Sequence, residues 1–261
     1  MPTLILIFSA ILGLILGSFA NVLIHRIKHQ EKGIFTGRSH CPKCKHLLNA
    51  LDLIPVFSYL FLRGKCHYCR KKISIRYPIV ELSTAAVLTS FAYKFLILNY
   101  EPLIFAFYVI FGLALIFTFF YDLFYLEISD LILIPAFLLA FGLSFYKNEL
   151  IPDPKSAIIG ALIPVIFFLI QIIISKGKWV GGGDLRIGAF MGAMLGWQKT
   201  SVALILSYLI GSVVAIVILS LKKANMKTEI PFGPFLVLST LICVLWGQEI
   251  IDFYIKLVMI M

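Results

Sequence analysis

What most constrains this chain is a succession of apolar runs, each long enough or nearly long enough to cross a lipid bilayer. They occupy residues 3–24, 79–98, 102–121, 131–146, 156–175, 185–197, 200–221 and 233–258. A hydrocarbon layer about 30 Å thick takes about 20 consecutive apolar residues in a helix. Inside it every backbone amide must find its partner within the segment, so helix is the structure open to such runs. The expectation is an all-α polytopic membrane protein with about eight transmembrane helices. Composition agrees, with 61% hydrophobic and 14% charged residues, far from a soluble domain. The first run has no basic segment before it and continues through GLILGSFANVLIHR without a small-residue cleavage site. It therefore reads as a span rather than a cleaved signal.

The net charge of +10 is distributed unevenly. Residues 25–78 carry twelve Lys and Arg, 176–186 carry three, and 222–228 carry three, together 18 of the 23. With eight spans these segments and the 122–130 turn fall on one side. Basic loops stay in the cytoplasm, which places both termini outside. The excess is then an orientation signal with anionic-lipid contact rather than a nucleic-acid patch. The expected organisation is a first transmembrane helix over 1–24, a cytoplasmic cysteine-rich loop over 25–78, and a membrane core over 79–261 with about seven helices.

The loop contains Cys41-Pro-Lys-Cys44 and Cys66-His-Tyr-Cys69, with 21 residues between the two pairs. Two CxxC knuckles at this separation predict a tetrahedral thiolate zinc site, in a compartment too reducing for disulfides. Four sulfurs close the coordination sphere, so the zinc is expected to be structural. Unliganded thiols or redox pairs are the alternative. Cys243 stands alone in the last run and reads as a small apolar residue. The five histidines (His25, His29, His40, His46 and His67) all lie in or beside the loop, which leaves none for catalysis within the bilayer.

Two acids stand out, Asp122 in FTFFYDLFYLEISD and Asp184 in WVGGGDLRIG. A carboxylate at such a position is costly and by default faces a polar cavity or a partner. Two sharing a site divide their protons unequally, one serving as base and one as acid. Gly181, Gly182 and Gly183 let the backbone turn tightly before Asp184, although a helix-capping role for Asp184 fits the same residues. On an unbroken helix Asp122 and Asp130 would lie about 80° apart, but Ser129 and Pro135 favour a break between them. Glu127 and Asp130 otherwise read as solvated interface residues, with Asp130 capping the next helix. Gly188, Gly192 and Gly196 form a small-residue stripe suited to close helix packing.

These segments, in order, resemble the type IV prepilin peptidases, GxGD-type aspartic proteases of the inner membrane. The resemblance runs through GLILGSFANVLIHR, SHCPKCKHLL, LIPVFSYLFLRGKCHYCRKKISIRYPIVE, YDLFYLEISD, VGGGDLR and IPFGP. It implies that Asp122 and Asp184 are the catalytic pair, with Gly181, Gly183, Asp130 and Arg186 in the active-site loops, and that Cys41, Cys44, Cys66 and Cys69 are the zinc-type motif. It also implies removal of the basic leader from prepilins or pseudopilins at the cytoplasmic face. Methylation of the new N-terminus with S-adenosylmethionine is implied by resemblance alone, since no glycine-rich cofactor fingerprint is present. Two positions depart from the family pattern, Ser129 where proline is usual and Arg186 where lysine is usual. Arginine keeps the charge but not the compact geometry of an ammonium. Glu81 reads either as an interface carboxylate or as a group approaching the site. From composition alone, an acid-coupled transporter and a membrane scaffold with a partner-binding zinc loop fit as well. The sequence is silent on oligomeric state.

Overall fold

A computed structural model describes residues 2–31, 33, 37–97, 101–221 and 230–260. The basic segment 222–228 lies outside the described residues. Among those described there are eight α-helices and no strand, only two isolated bridges. The helices are α1 (Pro2–Lys28), α2 (Phe57–Phe61), α3 (Arg76–Ala92), α4 (Pro102–Tyr125), α5 (Asp130–Leu143), α6 (Pro154–Ser175), α7 (Gly182–Ser220) and α8 (Gly233–Ile260). The chain divides into two compact units, Met1–Phe117 and Thr118–Met261, with the division inside α4.

In the first unit the pattern of α1 is that of a membrane helix. Ser9, Gly13, Gly17, Ala20 and Ile24 are buried, while the large apolar residues Leu4, Phe8, Ile11, Ile15 and Phe19 face outward. Lipid is as apolar as leucine, so helices associate in it through small residues that permit close contact. Gly13 meets the Ala85 backbone, Gly17 meets Thr84, and the Asn21 side-chain amide donates to the Tyr77 carbonyl at 3.0 Å. The order of these contacts makes α1 and α3 antiparallel. Farther along, α3 passes into a π-helical turn at Tyr93–Ile97. There Phe95 stacks on Tyr108 of α4 with ring centroids 4.3 Å apart, and Phe91 meets Tyr108 edge-on.

The second unit is organised by α7, whose 39 residues would extend about 58 Å if straight, twice the hydrocarbon thickness. It is not straight. Its first limb packs antiparallel on α6, with Gly188 against Pro164 and Phe168, and Gly192 against Gly160. A Cβ on Gly192 would overlap the Gly160 backbone. At Gly196 the backbone leaves the helix, with φ 75° and ψ 170°. Beyond it the partners on α6 recur in the opposite order, from Ser156, which accepts from the Trp197 N–H at 3.4 Å, to Gln171, which bonds the Tyr208 hydroxyl at 2.9 Å. So α7 is a helical hairpin, and its limbs match the separate runs expected at 185–197 and 200–221. The second limb then packs antiparallel on α8, with Gly211 beside Phe235 and Gly247 beside Lys199.

Six helices among the described residues are long and apolar enough to cross a membrane, and α5 is a shorter apolar helix. Counting α7 as two limbs and adding α5 recovers the eight expected spans. The chain is a multi-pass, all-helical membrane protein. Gly188 and Gly192 act as the packing stripe, whereas Gly196 supplies the turn.

Candidate active site

The first acid is placed by the way α4 stops. Leu126 takes a left-handed conformation (φ 55°), and its N–H donates to the Asp122 carbonyl at 2.8 Å. The helix ends there and α5 begins at Asp130 after Ser129. The break expected between Asp122 and Asp130 therefore falls at Leu126, while Pro135 sits inside α5. Asp122 occupies the last turn of α4 and is 6% exposed.

The second acid sits at the opening of α7. Gly181 is the N-cap residue, and its N–H donates to Asp184 Oδ2 at 3.2 Å. This is the reciprocal half of a capping arrangement, in which the third helical residue reaches back to the cap amide. Asp184 is 8% exposed, so the capping bond and burial at a cavity coexist in one residue. The opening of α8 supplies a third element. The Gly233 N–H is directed at the Asp122 carboxylate, and a Cβ at Gly233 would strike it.

Asp122 and Asp184 line the same cavity, about 500 Å³ in volume, and are close enough to interact electrostatically. Glu127, Trp179, Arg186 and Phe232 share its walls. Arg186 is turned to Asp130, with Nη1 2.6 Å from Oδ1, and both side chains are about half exposed. Asp130 thus reaches the cavity wall through Arg186, and it is the first residue of α5 rather than its cap: Ser129 holds the N-cap position without a side-chain capping bond. Gly183 lies against Ile128, packing the turn before α5 on the opening of α7. The sequence reading did not single out Gly233 or Phe232 as site residues. The signal was the Pro231-Phe232-Gly233-Pro234 break before the last apolar run, because the free amides of a helix start are ready donors to a carboxylate.

The cysteines form a second constellation, in the first unit. Residues 40–47 and 65–72 are two copies of one turn, closed by the His40–Leu47 and Lys65–Lys72 bridges. In each, the first cysteine's carbonyl accepts from the fourth residue beyond it, Lys45 at 2.8 Å and Arg70 at 3.0 Å. The four Sγ atoms lie within 4.8 Å of one another, and a tetrahedral zinc–thiolate centre spaces its sulfurs about 3.8 Å apart. Burial pushes the Cys41 thiol up, but the Cys44 and Lys43 amides beside it outweigh this and hold it at about 7. The His46 amide lowers Cys44, yet desolvation and the neighbouring Cys41 and Cys69 sulfurs drive it to about 11. Four thiolates this close need a cation to ionise together, and the donor set fits a metal ion. Asp52 braces the second knuckle, accepting from the Tyr68 hydroxyl at 3.1 Å and facing His67 Nδ1 at 3.2 Å.

Comparison with known proteins adds an independent line. Residues 109–216 match the model described as "Type IV leader peptidase family", and residues 11–95 match "Bacterial Peptidase A24 N-terminal domain". Three proteins called prepilin leader peptidase/N-methyltransferase are similar over nearly their whole length. The one from Pseudomonas putida is 30% identical, covering 95% of this chain and 93% of its own. That from Aeromonas hydrophila is 31% identical, with 97% and 93% covered, and that from Bacillus subtilis strain 168 is 32% identical, with 95% and 96% covered. The chain belongs to the type IV leader peptidase family. No solved structure matches it. Both aspartates fall within the leader peptidase match and all four clustered cysteines within the N-terminal match. Family membership gives the transporter alternative no support.

The N-terminal part of this leader peptidase homologue also holds a cavity, of about 330 Å³. It lies among the end of α1, the cysteine turns and the start of α3. Buried Asn21, Arg26 and Glu81 line it, with Cys41 and Cys66. Glu81 therefore faces this cavity, as an interface carboxylate of α1 and α3, and is not among the residues lining the aspartate cavity.

Proposed function

We propose that this protein is a membrane aspartic endopeptidase that removes the leader from prepilins or pseudopilins and then methylates the new N-terminus. The observation that carries the peptidase reading is the shared cavity of Asp122 and Asp184, each carboxylate met by a backbone amide at a helix start. One aspartate, ionised, takes a proton from water as the oxygen attacks the scissile carbonyl. The other, protonated, donates to the carbonyl oxygen and afterwards supports proton delivery to the leaving amine. Like charges at close quarters favour this single-proton arrangement, and the pair titrates as a unit.

The positive-inside distribution supports placing the aspartates and the cysteine loop at the cytoplasmic face of the inner membrane, with both termini outside. A basic leader remains in the cytosol while the apolar helix behind it lies in lipid, which brings the bond between them to the aspartate cavity. Zinc is the metal whose chemistry the four thiolates suit, in a structural role with no open position. S-adenosylmethionine is the expected methyl donor. The basic residues serve orientation and lipid contact, not nucleic-acid binding.

The test is incubation of the purified protein in detergent with a prepilin. The wild type releases the leader, and Asp122→Asn and Asp184→Asn each fail to. Cleavage by both variants at the wild-type rate would refute the assignment of the pair.

A further inference from the structure

The stretch between the two cysteine turns is built inside out for a segment in water. In α2, Phe57, Leu60 and Phe61 stand at i, i+3 and i+4, on one helical face, and all three are exposed, Phe61 by 83%. Ser58, Tyr59 and Leu62 turn the other way, towards the cavity of the first unit. The preceding 3₁₀ turn, Ala50–Leu53, leads in with Leu51 77% exposed and Ile54 exposed after it, while Asp52 is bonded to Tyr68 of the second cysteine turn. Single apolar residues on a surface are ordinary, but five large ones gathered within residues 51–61 mark a partner or a membrane.

The depth of this segment decides between the two. The Val56 N–H, at the N-cap of α2, donates to the Glu81 carboxylate at 2.8 Å. Glu81 lies five residues inside the span Arg76–Leu96, about 8 Å along its axis. Interfacial helices sink their apolar face by about 5–10 Å, to the boundary of headgroups and acyl chains. The opening of α2 is thus tied to α3 at the depth of that boundary, where α3 turns Ile79 and Leu82 outward. Charge agrees. Between Asp52 and Glu81 the chain carries six Lys and Arg and no acid, a composition that suits an anionic leaflet.

We infer that residues 50–61 lie in the membrane interface, with Leu51, Ile54, Phe57, Leu60 and Phe61 against acyl chains and Arg63, Lys65 and Arg76 towards lipid phosphates. The partner is the bilayer that α1 and α3 cross. The loop over 25–78 is then aqueous only in part. The surface-lying segment carries the cysteine turns on its polar side, through Asp52 and through the adjoining Asn49, whose side-chain amide donates to the Tyr68 hydroxyl at 2.9 Å. This lipid contact holds whichever reaction the aspartate pair performs.

The experiment uses the full-length protein in nanodiscs of phosphatidylglycerol and phosphatidylethanolamine. The photoreactive residue p-benzoylphenylalanine replaces Phe57 or Phe61 in turn, and Ile15, exposed on the α1 span, serves as the lipid-facing reference. All three positions are exposed, so the larger ring displaces no core, and retained metal content checks that the cysteine turns are intact. After irradiation, intact mass and peptide mapping identify what each probe has captured. Phospholipid adducts at Phe57 and Phe61 are expected at yields within about threefold of those at Ile15, as for side chains among acyl chains. Capture of another part of this chain, of a second copy, or of an added prepilin in place of lipid overturns the proposal. So does the absence of lipid adducts at both positions while Ile15 is labelled.

Discussion

At the scale of single residues, the two acids that the structure brings to one cavity were legible because a carboxylate in an apolar run is expensive. Asp122→Asn and Asp184→Asn preserve volume and the hydrogen bonds from Gly233 and Gly181, so folding should survive. Single-turnover kinetics should show the cleavage rate falling by about 10³-fold or more, as when one member of a cooperating pair is lost, while the uncleaved prepilin still binds. Arg186 gives the opposite outcome. Its pair with Asp130 is half exposed, and exposed pairs contribute about 1 kcal/mol or less. Arg186→Lys should therefore leave the thermal midpoint and the cleavage rate within about twofold of wild type. What stayed hidden was the set of backbone donors. Gly233 contributes an N–H, and a glycine in sequence says nothing about where its amide points.

Among the elements, the apolar runs mapped onto helices because lipid leaves the backbone no other way to satisfy itself. Gly196 was read as part of a packing stripe, and the structure makes it the hairpin of α7. The two uses look alike in sequence, since a small residue every fourth position serves contact and a positive φ serves reversal. Only the order of partners along α6 separates them. Gly196→Ala should destabilise the protein by about 1–3 kcal/mol, because positive φ with extended ψ is essentially confined to glycine, and Ser156 Oγ would stand 2.6 Å from the new Cβ. Thermal unfolding in micelles should show a lowered midpoint, together with reduced cleavage because the first limb carries Asp184. The cysteine knuckles were fully legible from spacing, as each is a local turn. Cys44→Ser or prolonged chelation should release the metal, read by elemental analysis, and expose the 40–72 segment to proteolysis. Acid should do the same, since thiolates must be deprotonated to hold the metal.

For the whole molecule, orientation follows from the number of crossings and from where the basic residues lie. In the second unit Asp122, Gly183 and Gly233 meet at one end of the helices, through the Gly233 amide and the contact of Gly183 with Ile128. The basic segment 176–186 is at that end. The opposite end of α8 carries the C-terminus, so a cytoplasmic aspartate cavity requires an external C-terminus. The parity rests on α5, whose 14 residues span only about 21 Å of a layer about 30 Å thick. If α5 dips in and returns, the number of crossings becomes odd and the termini part sides. Alkaline phosphatase fused after Met261 should be active and green fluorescent protein there dark, while the same reporters inserted at Lys178 should give the reverse. A fluorescent C-terminal fusion beside a fluorescent Lys178 insertion would show that the two positions share a side. The eight-crossing arrangement would then be wrong within α7 or α8, the helices between those positions. A reporter inserted after Asn49 that falls on the opposite side from the Lys178 insertion would instead reassign α5, which lies between them with α3, α4 and α6.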